Sequence, residues 1–207
     1  MDDCGPEDGT REAVEAFAAK FPDHRILYHR HEKNAGVSAA RNTGIRAARG
    51  DVVALLDSDD LWNPDHLGVH VSILCQNSDV VLSYSQADTI DEKGDLLTEP
   101  TGFYNFCGVA GNGIPGKMED GYFRAMMVWI YVPVSTACLR RDVLLEIGGF
   151  QEGMKYQIED WVMWARAGKR GAIHFTERPT SRYRIHPQSF SSLQSVAGAI
   201  DNHLEFV

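Results

Sequence analysis

The sequence predicts an α/β domain built on a mostly parallel sheet flanked by helices, and three observations carry that reading. Strand-like and helix-like patterns alternate through the first half of the 207 residues. The run Asp51-Val52-Val53-Ala54-Leu55-Leu56 is apolar without alternation, as expected of a strand buried on both faces of a parallel sheet. Apolar residues make up 43% and charged residues 24%, the balance of a folded globular chain rather than a fibre or a disordered tail. The length suits one domain with a proper core, so residues 1–207 are read as a single unit.

Asp2 to Gly9 is loop chemistry, and Thr10 is placed to cap a helix with Val14, Phe17, Ala18 and Phe21 along one stripe, stopped by Pro22. Arg25 to Arg30 reads as a strand, and Asn34-Ala35-Gly36 as the turn into a helix of small residues from Val37 to Ala48, closed by Gly50. After the strand at 51–56, Asn63-Pro64-Asp65 starts a helix with Asn63 as cap and a stripe of Leu67, His70, Val71, Leu74 and Cys75. Val80 to Tyr84 is a further strand. Residues 99–118, rich in Gly, form a long loop of the kind that borders a site. Tyr131–Leu139 reads as a strand, Asp142–Ile147 as a short helix ended by Gly148-Gly149, and Glu159–Ala167 as a helix with Trp161, Trp164 and Ala165 on one side. Ala172–Phe175 and Arg182–Ile185 are late strands, and 190–206 a terminal helix.

Twenty Lys and Arg stand against 29 Asp and Glu, a net charge of −9. That balance argues against a nucleic-acid grip, which needs basic stripes. An acidic ligand must then be held by a metal or by a few local cations. No stretch approaches the ~18 apolar residues of a membrane span, and the first residues do not form a signal peptide. Cys4, Cys75, Cys107 and Cys138 show no paired spacing and read as reduced thiols of a cytoplasmic protein.

Three constellations carry chemistry. Asp57-Ser58-Asp59-Asp60 follows directly on the buried apolar strand, at the strand end where open α/β sheets bind ligands. Three carboxylates there repel unless a cation neutralises them, and a few oxygen ligands suit Mg²⁺ or Mn²⁺ completed by phosphate oxygens. A helix-capping role for the acids is the rival reading, although Asn63 already serves as the cap. The helix start at Asn34-Ala35-Gly36 lets backbone and Arg41 approach a phosphate or base, although tight packing on the sheet explains its alanines equally well. Glu159-Asp160 opens a helix, where carboxylates are common capping devices. The same position keeps Asp160 ionised at neutral pH, as a carboxylate general base requires. His29 and His31 share one face of their strand and read as a solvated edge.

Taken in order, Asp2-Asp3, Asn34-Ala35-Gly36 with Ala40-Arg41-Asn42, Asp57-Ser58-Asp59-Asp60, Ser135 with Arg140-Arg141, Gly148-Gly149-Phe150, Glu159-Asp160-Trp161 and Tyr183-Arg184-Ile185-His186 resemble the family 2 glycosyltransferases of the GT-A fold. The resemblance covers nearly the whole chain. It implies a Rossmann-like sheet, with residues 1–98 as the nucleotide-sugar-binding half and 99–207 as the acceptor-binding half. It implies an inverting transfer of a sugar from a nucleoside-diphosphate donor, a UDP-sugar by default, to a hydroxyl of a glycan or lipid-linked acceptor. The implied setting is polysaccharide or cell-envelope glycan synthesis in the cytoplasm or at the inner membrane face.

On this resemblance Asp57 and Asp59 hold Mn²⁺ or Mg²⁺ and the donor, with Asp59 the more direct ligand. Asp2, Asp3 and Arg41 contact the nucleotide, and Asp160 is the general base. Ser135, Arg140, Glu159, Trp161 and the loop around Gly111-Asn112-Gly113 border the acceptor. His186 is left outside the metal site. Family members begin with an apolar strand, a helix and a second apolar strand, so the chain is expected to be N-terminally truncated by those elements, as a fragment or with the sheet edge supplied otherwise. Two other readings stand beside the transferase. One is a nucleotidyltransferase, for which no Gly-rich, Lys-bearing phosphate loop precedes the acids. The other is a non-catalytic sugar- or partner-binding module of the same fold.

Overall fold

The computed structural model describes residues 1–97, the backbone of 116–118, and residues 132–154 and 159–186. Its elements in chain order are α1 (Thr10–Lys20), α2 (Val37–Ala47), β1 (Val52–Ala54), β2 (Leu61–Trp62), α3 (His66–Gln76), β3 (Val80–Ile90), β4 (Gly116–Met118), β5 (Cys138–Arg140), α4 (Arg141–Glu146), α5 (Glu159–Gly168) and β6 (Ala172–Arg184). The α/β class holds. The strand order is β1-β5-β3-β6-β2, with β4 also paired to β6.

The directions of the strands differ from the expected parallel majority. Only β3 and β6 run parallel among the paired elements; β1–β5, β3–β5, β2–β6 and β4–β6 are antiparallel. The cause is the way the second half of the chain returns. The short 3₁₀ turn Val134–Thr136 feeds β5 back between β1 and β3, antiparallel to both, where Tyr131–Leu139 was expected to be one strand.

The two late strands are one long strand, β6. Its register against β3 jumps from Ser85↔Thr176 to Ala87↔Ser181, so the intervening residues bulge out without ending the strand. Residues 25–29 are not a strand among the described residues; the segment pairs only through a parallel bridge between Arg30 and Asp2.

β3 is the buried spine. Leu82, Tyr84, Leu139, Leu144, Phe150, Met163, Trp164 and Phe175 form the main core, with α5 laid on β3 and α2 on α4. A smaller cluster of Leu74, Val80, Cys138 and Ala172 lies under α3. Burial also pushes the Cys138 thiol up to about 12, so it packs as an inert apolar group.

His70, expected on the apolar stripe of α3, is a satisfied core histidine. It bonds Ser83 Oγ at 2.8 Å and Thr180 Oγ1 at 3.1 Å, and burial drives it down to about 3.

Two caps differ from expectation. Gly9, not Thr10, is the cap of α1, with Asp8 accepting from both the Thr10 amide and hydroxyl. α3 begins at His66 after Asp65, because β2 draws the preceding residues onto β6: the Asn63 amide donates to Thr180 O at 2.9 Å and its side chain to Pro179 O. α1 buries none of its residues, and Phe17 and Phe21 stack on one another at 4.7 Å in the open. The expected terminal helix at 190–206 and the loop at Gly111-Asn112-Gly113 lie outside the described residues.

Candidate functional site

β1 ends at Ala54, and a bond from the Leu55 amide to Ala137 O is the last tie before the acidic turn Asp57-Ser58-Asp59-Asp60. The turn closes on itself through the Asp60 amide and Asp57 O at 3.2 Å. With Asn63 bonded to β6, it does not cap α3 as expected, yet the acids do not take its place: Asp65 precedes the helix and no side-chain bond caps it.

Arg41 organises one side of the turn. It projects from α2 and donates from Nη2 to both oxygens of Asp57, at 2.9 and 3.1 Å, and from Nη1 to Glu159 Oε1 at 2.9 Å. Its guanidinium also lies 5.2 Å over the Phe150 ring. Burial works against the cation, but Asp57 and Glu159 outweigh it and hold the Arg41 pKa above its ordinary value. Phe150 is in turn held by Asn42, the next residue of α2, which accepts from the Phe150 amide at 2.7 Å and donates to Phe150 O at 2.9 Å. The motif Ala40-Arg41-Asn42 thus joins the acidic turn to the Gly148-Gly149-Phe150 loop and to α5.

Asp160 follows Glu159 at the start of α5. Its Oδ1 accepts from the Trp161 amide at 2.6 Å. The first-turn position was expected to keep it ionised. Burial and the adjacent Glu159 instead push it up to about 7, against the smaller pull of the Trp161 amide and Arg41. The raised value favours base chemistry, since a carboxyl poised near neutrality is a stronger proton acceptor than one with an ordinary carboxylate pKa.

Asp59 turns to the other side. Its Oδ2 lies 3.3 Å from His186 Nε2, and both side chains are partly exposed. The expected pair of Asp57 and Asp59 is therefore divided: Asp57 faces Arg41, and Asp59 faces a histidine that sequence reasoning left out. Among the described residues no cluster of three His, Cys, Asp or Glu side chains encloses a cation. An open set of one carboxylate and one imidazole fits a divalent ion that takes its remaining ligands from phosphate and water, and suits Mn²⁺ better than the oxygen-loving Mg²⁺. The signal for His186 was its place in Tyr183-Arg184-Ile185-His186 at the end of a strand.

Other residues sit elsewhere. Ser135, expected on the acceptor side, is buried behind the turn; its Oγ accepts from the Asp57 amide at 3.1 Å and donates to Asp60 Oδ2 at 2.6 Å. Arg140 pairs in register with Val52, at the opposite end of β1 from the acids, and donates to Val80 O, Leu74 O and Asn77 O. That is a clamp on the carbonyls around the end of α3, not a surface for an acceptor. Trp161, partly buried, stays beside Asp160.

Asp3 braces the start of α2: it accepts from the Ala35 and Gly36 amides, at 2.9 and 2.6 Å, and bonds His31 Nδ1 at 2.6 Å. His31 also reaches Thr43 Oγ1 at 3.0 Å, so it is an internal bridge and not a solvated edge. Asp2 accepts from the Gly5 amide at 2.9 Å and from the Tyr28 hydroxyl, which holds its carboxyl below the usual range.

A profile of the glycosyl transferase family 2 matches residues 1–145. The chain is 39% identical to the uncharacterized glycosyltransferase YfnE of Bacillus subtilis, over 96% of this chain and 59% of that protein. It is 27% identical to the uncharacterized glycosyltransferase alr2836 of Nostoc, over 89% and 54% respectively, and so spans a little over half the length of these relatives. The fold resembles S. aureus TarS 1–349 in complex with UDP-GlcNAc, at a TM-score of 0.68 and 18% identity over 94% of this chain and 51% of that one. It also resembles the mannosyltransferase PcManGT from Pyrobaculum calidifontis in complex with GDP-Man and Mn²⁺, at 0.65 and 20% identity over 91% and 48%. With the fold, the acidic turn and the profile in agreement, the chain belongs to glycosyl transferase family 2.

Proposed function

We propose that these residues form the donor-binding and catalytic core of an inverting, metal-assisted glycosyltransferase that moves a sugar from a nucleoside-diphosphate donor to an acceptor hydroxyl. The observation that carries the reading is one guanidinium, that of Arg41, tying Asp57 to the Glu159-Asp160 pair. This brings the acid-rich strand end and a neutral-range carboxyl into one cluster.

In this reading Asp59 and His186 hold Mn²⁺ or Mg²⁺, and Asp57 and Arg41 bind the donor. The metal, when bound, offsets the charge that develops on the departing diphosphate. Asp160 takes the proton from the acceptor hydroxyl as it attacks the anomeric carbon, a contribution on the order of 10²–10⁴-fold. Trp161 and Glu159 border that side. Residues 1–98 serve the donor and 99–207 the acceptor, with Asp2 and Asp3 near the nucleotide only if they share their present hydrogen bonds.

The nucleotides named for the two structural neighbours make UDP- and GDP-sugars the first donors to try. No helix among the described residues is long and apolar enough to cross a membrane. A glycan or lipid-linked acceptor handled in the cytoplasm or at the membrane face accords with the reading.

The test is release of UDP or GDP from a donor panel with and without Mn²⁺. Metal-dependent turnover that vanishes in Asp59→Ala and Asp160→Asn supports the enzyme. Donor binding that is tight, metal-independent and never followed by turnover replaces it with a binding module.

A further inference from the structure

Asp60 is the third carboxylate of the acidic turn, and the proposed chemistry gives it no role. It is 6% exposed, yet both of its carboxyl oxygens are used. Oδ2 accepts from Ser135 Oγ at 2.6 Å, and that hydroxyl accepts from the Asp57 amide at 3.1 Å. Oδ1 accepts from the Arg184 amide at 2.9 Å. Arg184 returns the tie, because its Nε donates to Asp59 O at 2.7 Å while Nη1 holds Asp91 O and Glu92 O at 2.8 and 3.0 Å.

The acidic turn is thus fastened to the end of β6 by two bonds in which Arg184 is the donor, one from its amide to Asp60 Oδ1 and one from its Nε to Asp59 O, and Arg184 lies two residues before His186. We infer that Asp60 and Arg184 are positioning residues that set the spacing between Asp59 and His186, with Ser135 carrying the same restraint to Asp57. The inference rests on the reading of Asp59 and His186 as metal donors.

The physics favours it over a merely structural role. A short exposed turn and the frayed end of a strand would otherwise place two partly exposed side chains independently. Metal affinity depends on how well the ligands are preorganised, and partners one shell out typically govern ~10–100-fold of it. A buried carboxylate is costly to keep in a fold, and Asp60 meets that cost with one hydrogen bond from the backbone of the His186-bearing segment, at the Arg184 amide, and one from the Ser135 hydroxyl, which in turn holds the Asp57 amide of the turn. Its carboxyl can be replaced by an amide that still accepts from the Arg184 amide, which separates positioning from charge.

The experiment measures Mn²⁺ affinity of the full chain directly, by electron paramagnetic resonance of the free ion in the presence of UDP. Asp60→Ala is expected to weaken Mn²⁺ binding by about tenfold or more, and Asp60→Asn by no more than about threefold. Ser135→Ala, a smaller change suited to the case in which Asp60→Ala does not fold, is expected to weaken it several-fold.

The decisive arm is the cycle with His186→Ala. If Asp60 acts through the Asp59–His186 spacing, adding Asp60→Ala to His186→Ala costs little more. Wild-type chain that ignores Mn²⁺ overturns the metal reading and this inference together. Wild-type chain that binds Mn²⁺ with unchanged affinity in folded Asp60→Ala, or in Ser135→Ala should Asp60→Ala not fold, overturns the inference alone. Full additivity in the cycle does the same.

Discussion

Arg41 Nη2 rests 2.9 Å from Asp57 Oδ1, and the pair joins a helix to a strand end whose acids would otherwise repel Glu159 and Asp160. Removing the cation leaves two carboxylates of this cluster without their partner. Arg41→Ala is expected to cost about 3 kcal/mol, the lower part of the range for breaking a largely buried pair because Asp57 is partly exposed. It also removes the cation that holds the Asp160 pKa down, so the acid limb of the pH–rate profile should move to higher pH. Chemical denaturation and a kcat/KM profile check the two effects separately.

Asp160 makes pH itself a test. Its folded-state value of about 7 lies above the ordinary carboxylate value of 3.8, so the folded chain keeps a proton that the unfolded chain releases. Stability therefore falls as pH rises from about 4 to about 7, while the fraction of active base rises through about 7. Asp160→Asn should abolish the rate limb with a loss on the order of 10²–10⁴-fold. It should also raise Tm at pH 8 by roughly 3–6 °C, about 1–2 kcal/mol for a chain of this size, and leave Tm near pH 4 unchanged. A Tm gain that is the same at both pH values would mean the amide stabilises by packing and not by removing a buried charge.

The acids at 57–60 and 159–160 and the helix at 37–47 were legible in the sequence because each is a local pattern: a run of apolar residues ending in charge, or small residues after a turn. The sheet directions were not. Whether β5 enters between β1 and β3 depends on a 3₁₀ turn whose sequence, Val134-Ser135-Thr136, looks like more strand. Long-range hydrogen bonds were equally hidden. Nothing local in Arg140 says that it clamps carbonyls near α3, or in Ser135 that it lies behind the acids. The resemblance ordered these residues correctly along the chain, but order along a chain does not say which face of a sheet a side chain meets. His186 was discounted because a histidine closing a strand is usually only hydrogen-bonded; its approach to Asp59 is visible only once β6 is one strand.

His186 and Asp59 should differ in their effect on metal. Asp59→Ala removes a charged donor and is expected to abolish measurable Mn²⁺ binding. His186→Ala removes a neutral one, and the remaining carboxylate with the diphosphate should still bind, weaker by roughly 10–100-fold. Isothermal titration with Mn²⁺ at saturating UDP reads both. His186→Ala with affinity equal to wild type would remove the histidine from the donor set.

Gly149 tests how tightly the site depends on the loop beneath Arg41. Its φ of +70° is open to glycine, and a Cβ there would overlap Asn42 Oδ1, the atom that accepts from the Phe150 amide. Gly148, with φ +81°, has nothing within 4 Å of where its Cβ would stand. Both changes to Ala carry the dihedral cost of about 1–2 kcal/mol, but only Gly149→Ala must also displace Asn42, for a total of about 3 kcal/mol or more. Displacing Asn42 loosens Phe150, and Phe150 is the ring on which Arg41 lies, so donor KM should rise in Gly149→Ala and not in Gly148→Ala. Equal Tm losses in the two variants would mean that Asn42 yields freely, and that Arg41 is held by Asp57 and Glu159 without help from the loop.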